Sequence, residues 1–88
     1  QLFQNAPNPC NPSTAITFDL PAAGPVRLRL YDVAGRPVRA LDRLARAGRN
    51  TVQWDGTDDA GRMVGTGIYV YRLEAAGFTA ARRLAVVR

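Results

Sequence analysis

The stretch VRLRLYDV, residues 26–33, limits the chain more than any other. Val26, Leu28 and Leu30 alternate with Arg27, Arg29 and Tyr31. Alternation at every second position is the mark of a half-buried strand, because successive side chains leave opposite faces of the pleat. Two arginines cannot share a dry interior without partners. The Val/Leu face therefore points inward, and a second layer must cover it.

Other segments repeat the pattern. In TAITFDL, Ile16, Phe18 and Leu20 alternate with Thr17 and Asp19. TVQWD sets Val52 and Trp54 on one face. IYVYRLEA points Tyr69, Tyr71 and Leu73 inward and Arg72 and Glu74 outward. FTAARRLAVVR closes with Leu84 and Val86 inward; Arg82 shares their parity, which predicts a bulge or a frayed start near Ala80–Arg82. Turn signals punctuate these runs. In DVAGR, Asp32 opens a type I turn and Gly35 takes the left-handed position. Ala76–Gly77 marks a second hairpin. Pro37 lacks a donor and assigns RPVRAL to an edge, with Val38 inward. LDRLARA is too short for an isolated helix and reads as a loop pinned by Leu44. No long helical pattern interrupts the strands. The expected fold is an all-β, antiparallel, immunoglobulin-like sandwich of about seven short strands.

The segment NAPNPCNPST differs in kind. Residues before proline are pushed toward extended conformations, and proline fixes its own φ. Asn5, Asn8 and Asn11 are suited to bonding nearby backbone. The reading is an extended, stiff lead-in over residues 1–13, followed by one domain over 14–88. The chain's 88 residues suffice for one domain. Cys10 is the only cysteine, so no internal disulfide assists. No apolar run approaches the ~20 residues of a membrane-spanning helix. A secretory leader, if the protein has one, is expected upstream of Gln1.

Charge and chemistry narrow the function classes. The net charge is +5, with 12 basic residues, all arginine, and no histidine. Without histidine or lysine, no Ser-His-Asp or Cys-His arrangement can be built around Ser13 or Cys10. No catalytic residue and no cofactor are expected. Asp55, Asp58 and Asp59 are the candidate calcium ligands. They and nearby carbonyls would give about four or five of the 6–8 oxygens calcium takes, without the EF-hand spacing, and turn formation is the favoured reading. Trp54, Tyr69 and Tyr71 read as core rather than as a sugar-stacking platform. Arg27, Arg29 and Tyr31 form the candidate exposed basic face, for which an anionic polysaccharide is the candidate ligand. One ring and two arginines argue against nucleic acid.

Four motifs in order, NPCNPST, YDVAGRPVR, WDGTDDAGR and GTGIYVYRL, carry a resemblance over nearly the whole chain. The chain resembles the Ig-like domain at the C-terminus of many secreted bacterial proteins. It is similar both to the flagellar hook-cap Ig-like domain and to the type A C-terminal sorting domain of the type IX secretion system. Cys10 stands where the family usually has an aromatic residue, so that slot stays apolar and loses volume. The resemblance implies a non-catalytic targeting module, secreted or at the cell surface, read by outer-membrane secretion machinery. Gly67 and Tyr69 match one sorting motif; Arg83 to Arg88, with Leu84 and Val86 between, match the terminal basic–apolar–basic stretch. The proline-rich start would then be a stiff stand-off between cargo and tail. The alternative is a structural or adhesive module that self-associates at the cell surface or in a filament or flagellar cap.

Overall fold

The alternating segments fold as strands in a computed structural model that describes residues 1–88. They are β1 (Thr14–Leu20), β2 (Gly24–Asp32), β3 (Pro37–Ala40), β4 (Arg43–Ala45), β5 (Gly48–Trp54), β6 (Gly67–Ala75) and β7 (Phe78–Val86). There is no helix, and every strand pair is antiparallel. One sheet pairs β1 with β5; the other runs β3-β2-β6-β7, with β4 also alongside β2. Ile16, Phe18, Val26, Leu28, Leu30, Val52, Trp54, Tyr71, Leu73, Leu84 and Val86 lie among the 18 residues of one apolar core. The expected inward faces are the inward faces.

The tight turns form where glycine permits them. Asp32 Oδ1 accepts the amides of Ala34 and Arg36, and Gly35 sits at φ 82°. The register shift in the β2–β3 pair falls between Leu30 and Tyr31. The β6–β7 ladder runs unbroken from Gly67↔Val86 to Ala75↔Phe78, so the bulge expected near Ala80–Arg82 is absent. Arg82 keeps its parity because its guanidinium leaves the core at its rim and donates to the Leu2 carbonyl at 2.8 Å.

Two further expectations are corrected. Leu44 does not pin the segment after β3: it is 88% exposed, and Leu41 and Ala45 are buried instead. The segment extends as β4 against β2, which turns Leu44 to solvent. The opening residues are extended, yet they are no stand-off. Leu2, Asn5 and Cys10 are buried. Leu2 and Ala6 bridge to Phe18 and Ala15 of β1, and Cys10 bridges to Val86 of β7. This strap therefore joins the two sheets. Asn5 bonds the Pro7 carbonyl and the Thr14 hydroxyl, whereas Asn8 accepts the amide of Ala85, far along the chain.

Candidate interaction surfaces

The residues matched to sorting motifs come together at one end of β6 and β7. Gly67 faces Val86, and Tyr69 faces Leu84. Most of this cluster is interior. Leu84 and Val86 are buried, and Tyr69 sets its ring edge-on to Trp54, 6.2 Å between centroids. The Tyr69 hydroxyl donates to the Gly65 carbonyl at 2.7 Å. Arg88 fastens the chain's last residue to the same loop: its amide donates to Thr66 Oγ1 and its guanidinium to the Val64 carbonyl, each at 3.1 Å. Arg83 is exposed and has no ion-pair partner, with Ile68 and Val87 exposed nearby. What solvent meets here includes Arg83, Ile68, Val87 and Arg88; Leu84, Val86 and Tyr69 hold the strands that present them.

The basic face proves wider than Arg27, Arg29 and Tyr31. Register places Arg27 opposite Glu74, Arg29 opposite Arg72, and Tyr31 opposite Val70. Val70 in turn faces Arg83 on β7. Tyr31, Val33, Val70 and Arg72 line a shallow groove of about 350 Å³. Arg29 is not available as an isolated cation: it forks onto Asp42 at 3.1 and 2.9 Å. That fork, more than any other contact, holds the Asp42 carboxyl below its ordinary value. Arg27, Arg72 and Arg83 have no such partner. Arg72 and Val70 were missed by reading strands one at a time. Their parity places them outside, but only the β2–β6 register puts them beside Tyr31.

The three aspartates after Trp54 are engaged in local structure. Asp55 accepts the hydroxyl and amide of Thr57, which lower its pKa. Asp58 Oδ1 accepts the amides of Ala60 and Arg62; the Arg62 amide is the main cause of its lowered pKa. Asp59 Oδ1 accepts the amide of Ala40, and Arg39 lies between Asp55 and Asp59 at 3.9 and 3.8 Å. The turn DDAGR thus repeats the hydrogen bonding of DVAGR. No three acidic, histidine or cysteine side chains converge as a metal site would require. Cys10 is fully buried, and that burial pushes its thiol pKa up, away from the thiolate a nucleophile needs.

The FlgD Ig-like domain family matches residues 10–77. No curated protein sequence matches the chain. Among solved structures, the chain is similar to the dimeric latent PorU of Porphyromonas gingivalis. The TM-score is 0.81 at 26% identity, over 98% of this chain and 9% of that one. It is similar to FlgD from Xanthomonas campestris, with TM-score 0.67 at 29% identity, over 89% of this chain and 58% of that one. PorZ of P. gingivalis shares the fold, with TM-score 0.67 at 21% identity, over 99% of this chain and 11% of that one. The chain thus spans a small part of the two P. gingivalis proteins and under two thirds of the flagellar one. With the family's match covering β1 to β6 and most of the core, the chain belongs to the FlgD Ig-like domain family.

Proposed function

We propose that this domain is a non-catalytic targeting module of a larger exported bacterial protein, one that directs secretion or attachment at the cell surface. The observation that carries the reading is the likeness to PorU: nearly all of this chain superposes on a small fraction of a much larger protein. The likeness to PorZ, described as a surface component of the type IX secretion system, agrees with it in fold. The geometry supports a recognition role rather than a chemical one. The groove beside Tyr31 is shallow, no nucleophile has a base, and no metal cluster forms. Residues matched to sorting motifs divide between those that build the β6–β7 end and those that solvent reaches there. Export machinery would read Arg83, Ile68 and Val87 on a folded surface.

The test is a fusion of residues 1–88 to a periplasmic reporter in a host with a type IX system. Export of the reporter is expected. A reporter retained in the periplasm overturns the proposal. Exchanging Arg83 for Glu tests the surface without touching the core: export is expected to fall while the fusion stays folded. The second reading is a structural module that self-associates, and the 29% identity to FlgD, a hook-capping protein essential for flagellar assembly, favours it. Light scattering across concentration separates the two, because a chain that stays monomeric cannot be the assembling kind.

A further inference from the structure

A sheet edge with unpaired backbone groups is a template for another strand, and folded proteins cover such edges. The edges here can be accounted for one by one. On β1, Phe3 and Ala6 donate amides to Thr17 and Ala15, and Ala15 and Asp19 donate to Ala6 and Gln1, so the strap covers that side. On β7, Ala85 bonds Asn8 and Cys10, Val87 donates to Cys10, and Gln4 donates to the Arg83 carbonyl. On β3, the Asp59 amide donates to the Val38 carbonyl and Asp59 Oδ1 accepts the Ala40 amide. β4 is three residues long.

β5 is different. It pairs with β1 alone, over seven residues without proline or bulge. Because the odd-numbered residues of β1 bond the strap, its even-numbered residues bond β5, across pairs such as Ile16↔Val52 and Phe18↔Asn50. The N–H and C=O groups of Arg49, Thr51 and Gln53 therefore point away from β1 into solvent. Beside this edge lies a cleft of about 370 Å³ whose lining carries two arginines, Arg39 and Arg43, and one carboxylate, Asp55, with Ser13, Leu41, Gln53 and Trp54. Arg39 already has Asp55 and Asp59 near it, while Arg43 and Arg46 carry no ion pair. Arg46 is tied to the start of β5 by the Asn50 side chain.

We infer that β5 is a strand-addition site whose ligand is an extended, acidic segment of another protein. Main-chain bonds to Arg49, Thr51 and Gln53 give it a fixed register, and carboxylates beside Arg43 and Arg46 set its sign. A second copy of this chain fits the edge poorly on charge, since each copy carries +5. The inference does not depend on export.

The experiment is amide exchange followed by NMR on the 88-residue chain, with a short, end-blocked peptide of alternating glutamate and valine as probe. Saturating peptide is expected to slow exchange at Arg49, Thr51 and Gln53 by about tenfold or more. The same peptide N-methylated at alternate positions, which removes its edge donors, is expected to bind at least about tenfold more weakly. Thr51→Pro removes an outward donor and is expected to weaken binding similarly; the N-methylated peptide makes the same test on the unaltered protein. Unchanged exchange at these three amides, or new protection on β7 instead, overturns the site. Equal binding of a matched peptide with lysine in place of glutamate overturns the acidic ligand. Protection that grows with protein concentration alone assigns the edge to a second copy and overturns the proposal.

Discussion

Tyr71 shows how one hydroxyl can fix a whole segment. Its ring is in the core, fully buried. Its oxygen accepts the Asn5 amide and donates to the Phe3 carbonyl, both at 2.8 Å. Without the hydroxyl, a buried donor, the Asn5 amide, and a half-buried acceptor, the Phe3 carbonyl, lose their partner. A buried group left unpaired costs about 1–3 kcal/mol, so Tyr71→Phe is expected to destabilise by about that amount in urea unfolding. Tyr69→Phe makes the contrast. Its hydroxyl bonds only the carbonyl of Gly65, an exposed residue to which water has access, and the expected cost is under about 1 kcal/mol. Equal costs for the two would refute the view that Tyr71 tethers the strap. The same burial pushes the Tyr71 pKa up.

At the scale of elements, the strap, the β5 end and the loop beyond it lock through Gly56. It is buried, its φ is 82°, and a β-carbon there would lie 2.7 Å from Pro12 Cβ. Gly77 in the β6–β7 turn has a similar φ of 89° with open space around it. Left-handed backbone costs an alanine roughly 1–2 kcal/mol. Gly77→Ala is expected to lose about that, and Gly56→Ala about 1–3 kcal/mol more, from the clash. Thermal unfolding of the two variants checks the difference, and equal melting temperatures would remove the lock. The hairpins and the five longer strands were legible because each side chain's parity is a local property. So was the edge position of β3, since Pro37 has no donor to give. The strap's role was not legible. Proline and asparagine announce stiffness, but only the positions of β1 and β7 decide what a stiff segment lies against, and Leu2 and Cys10 carry no periodic signal. Leu44 misled for a related reason. Leu41 and Leu44 look equivalent by hydrophobicity, yet the β2–β4 register turns Leu44 out, while Leu41, whose amide donates to the Leu28 carbonyl, is buried. For the candidate surface, Arg27, Arg29 and Tyr31 were readable from one strand, whereas Arg72 and Val70 required the pairing of two distant ones.

Across the whole molecule, the strap and the acid groups decide under which conditions the sandwich stands. Removing residues 1–10 would uncover core that Leu2 and Cys10 now fill, free the β1 and β7 edges, and orphan the Tyr71 hydroxyl. Such a chain is expected to lose cooperative thermal unfolding and to aggregate, as exposed edges favour; a soluble, cooperative truncated chain would make the strap dispensable. Acid acts on the same structure through five carboxyls. Asp19, Asp32, Asp42, Asp55 and Asp58 all have lowered pKa values in the fold. The sign follows from linkage: at a pH between folded and unfolded values the unfolded chain binds more protons, so stability rises with pH there. The contribution is complete above the unfolded aspartate value of about 3.9 and disappears as pH falls through the lower folded values. Alkali acts in reverse. Burial raises Cys10 and Tyr71, so stability is expected to decline as pH climbs past about 8.5, the unfolded thiol value. Acid also raises the net positive charge, and self-repulsion would produce a similar loss. Salt distinguishes the causes. Repulsion between exposed charges is screened, as are the Arg49–Asp19 and Arg29–Asp42 pairs. Asp32 and Asp58, by contrast, are held low chiefly by the backbone amides of Arg36 and Arg62, and Asp55 by Thr57. Those short contacts do not depend on long-range fields. Urea unfolding at low pH is therefore expected to show the acid loss persisting at high salt, and Asp32→Asn with Asp58→Asn to flatten it. An acid loss that high salt abolishes would assign it to net charge and not to the DVAGR and DDAGR turns.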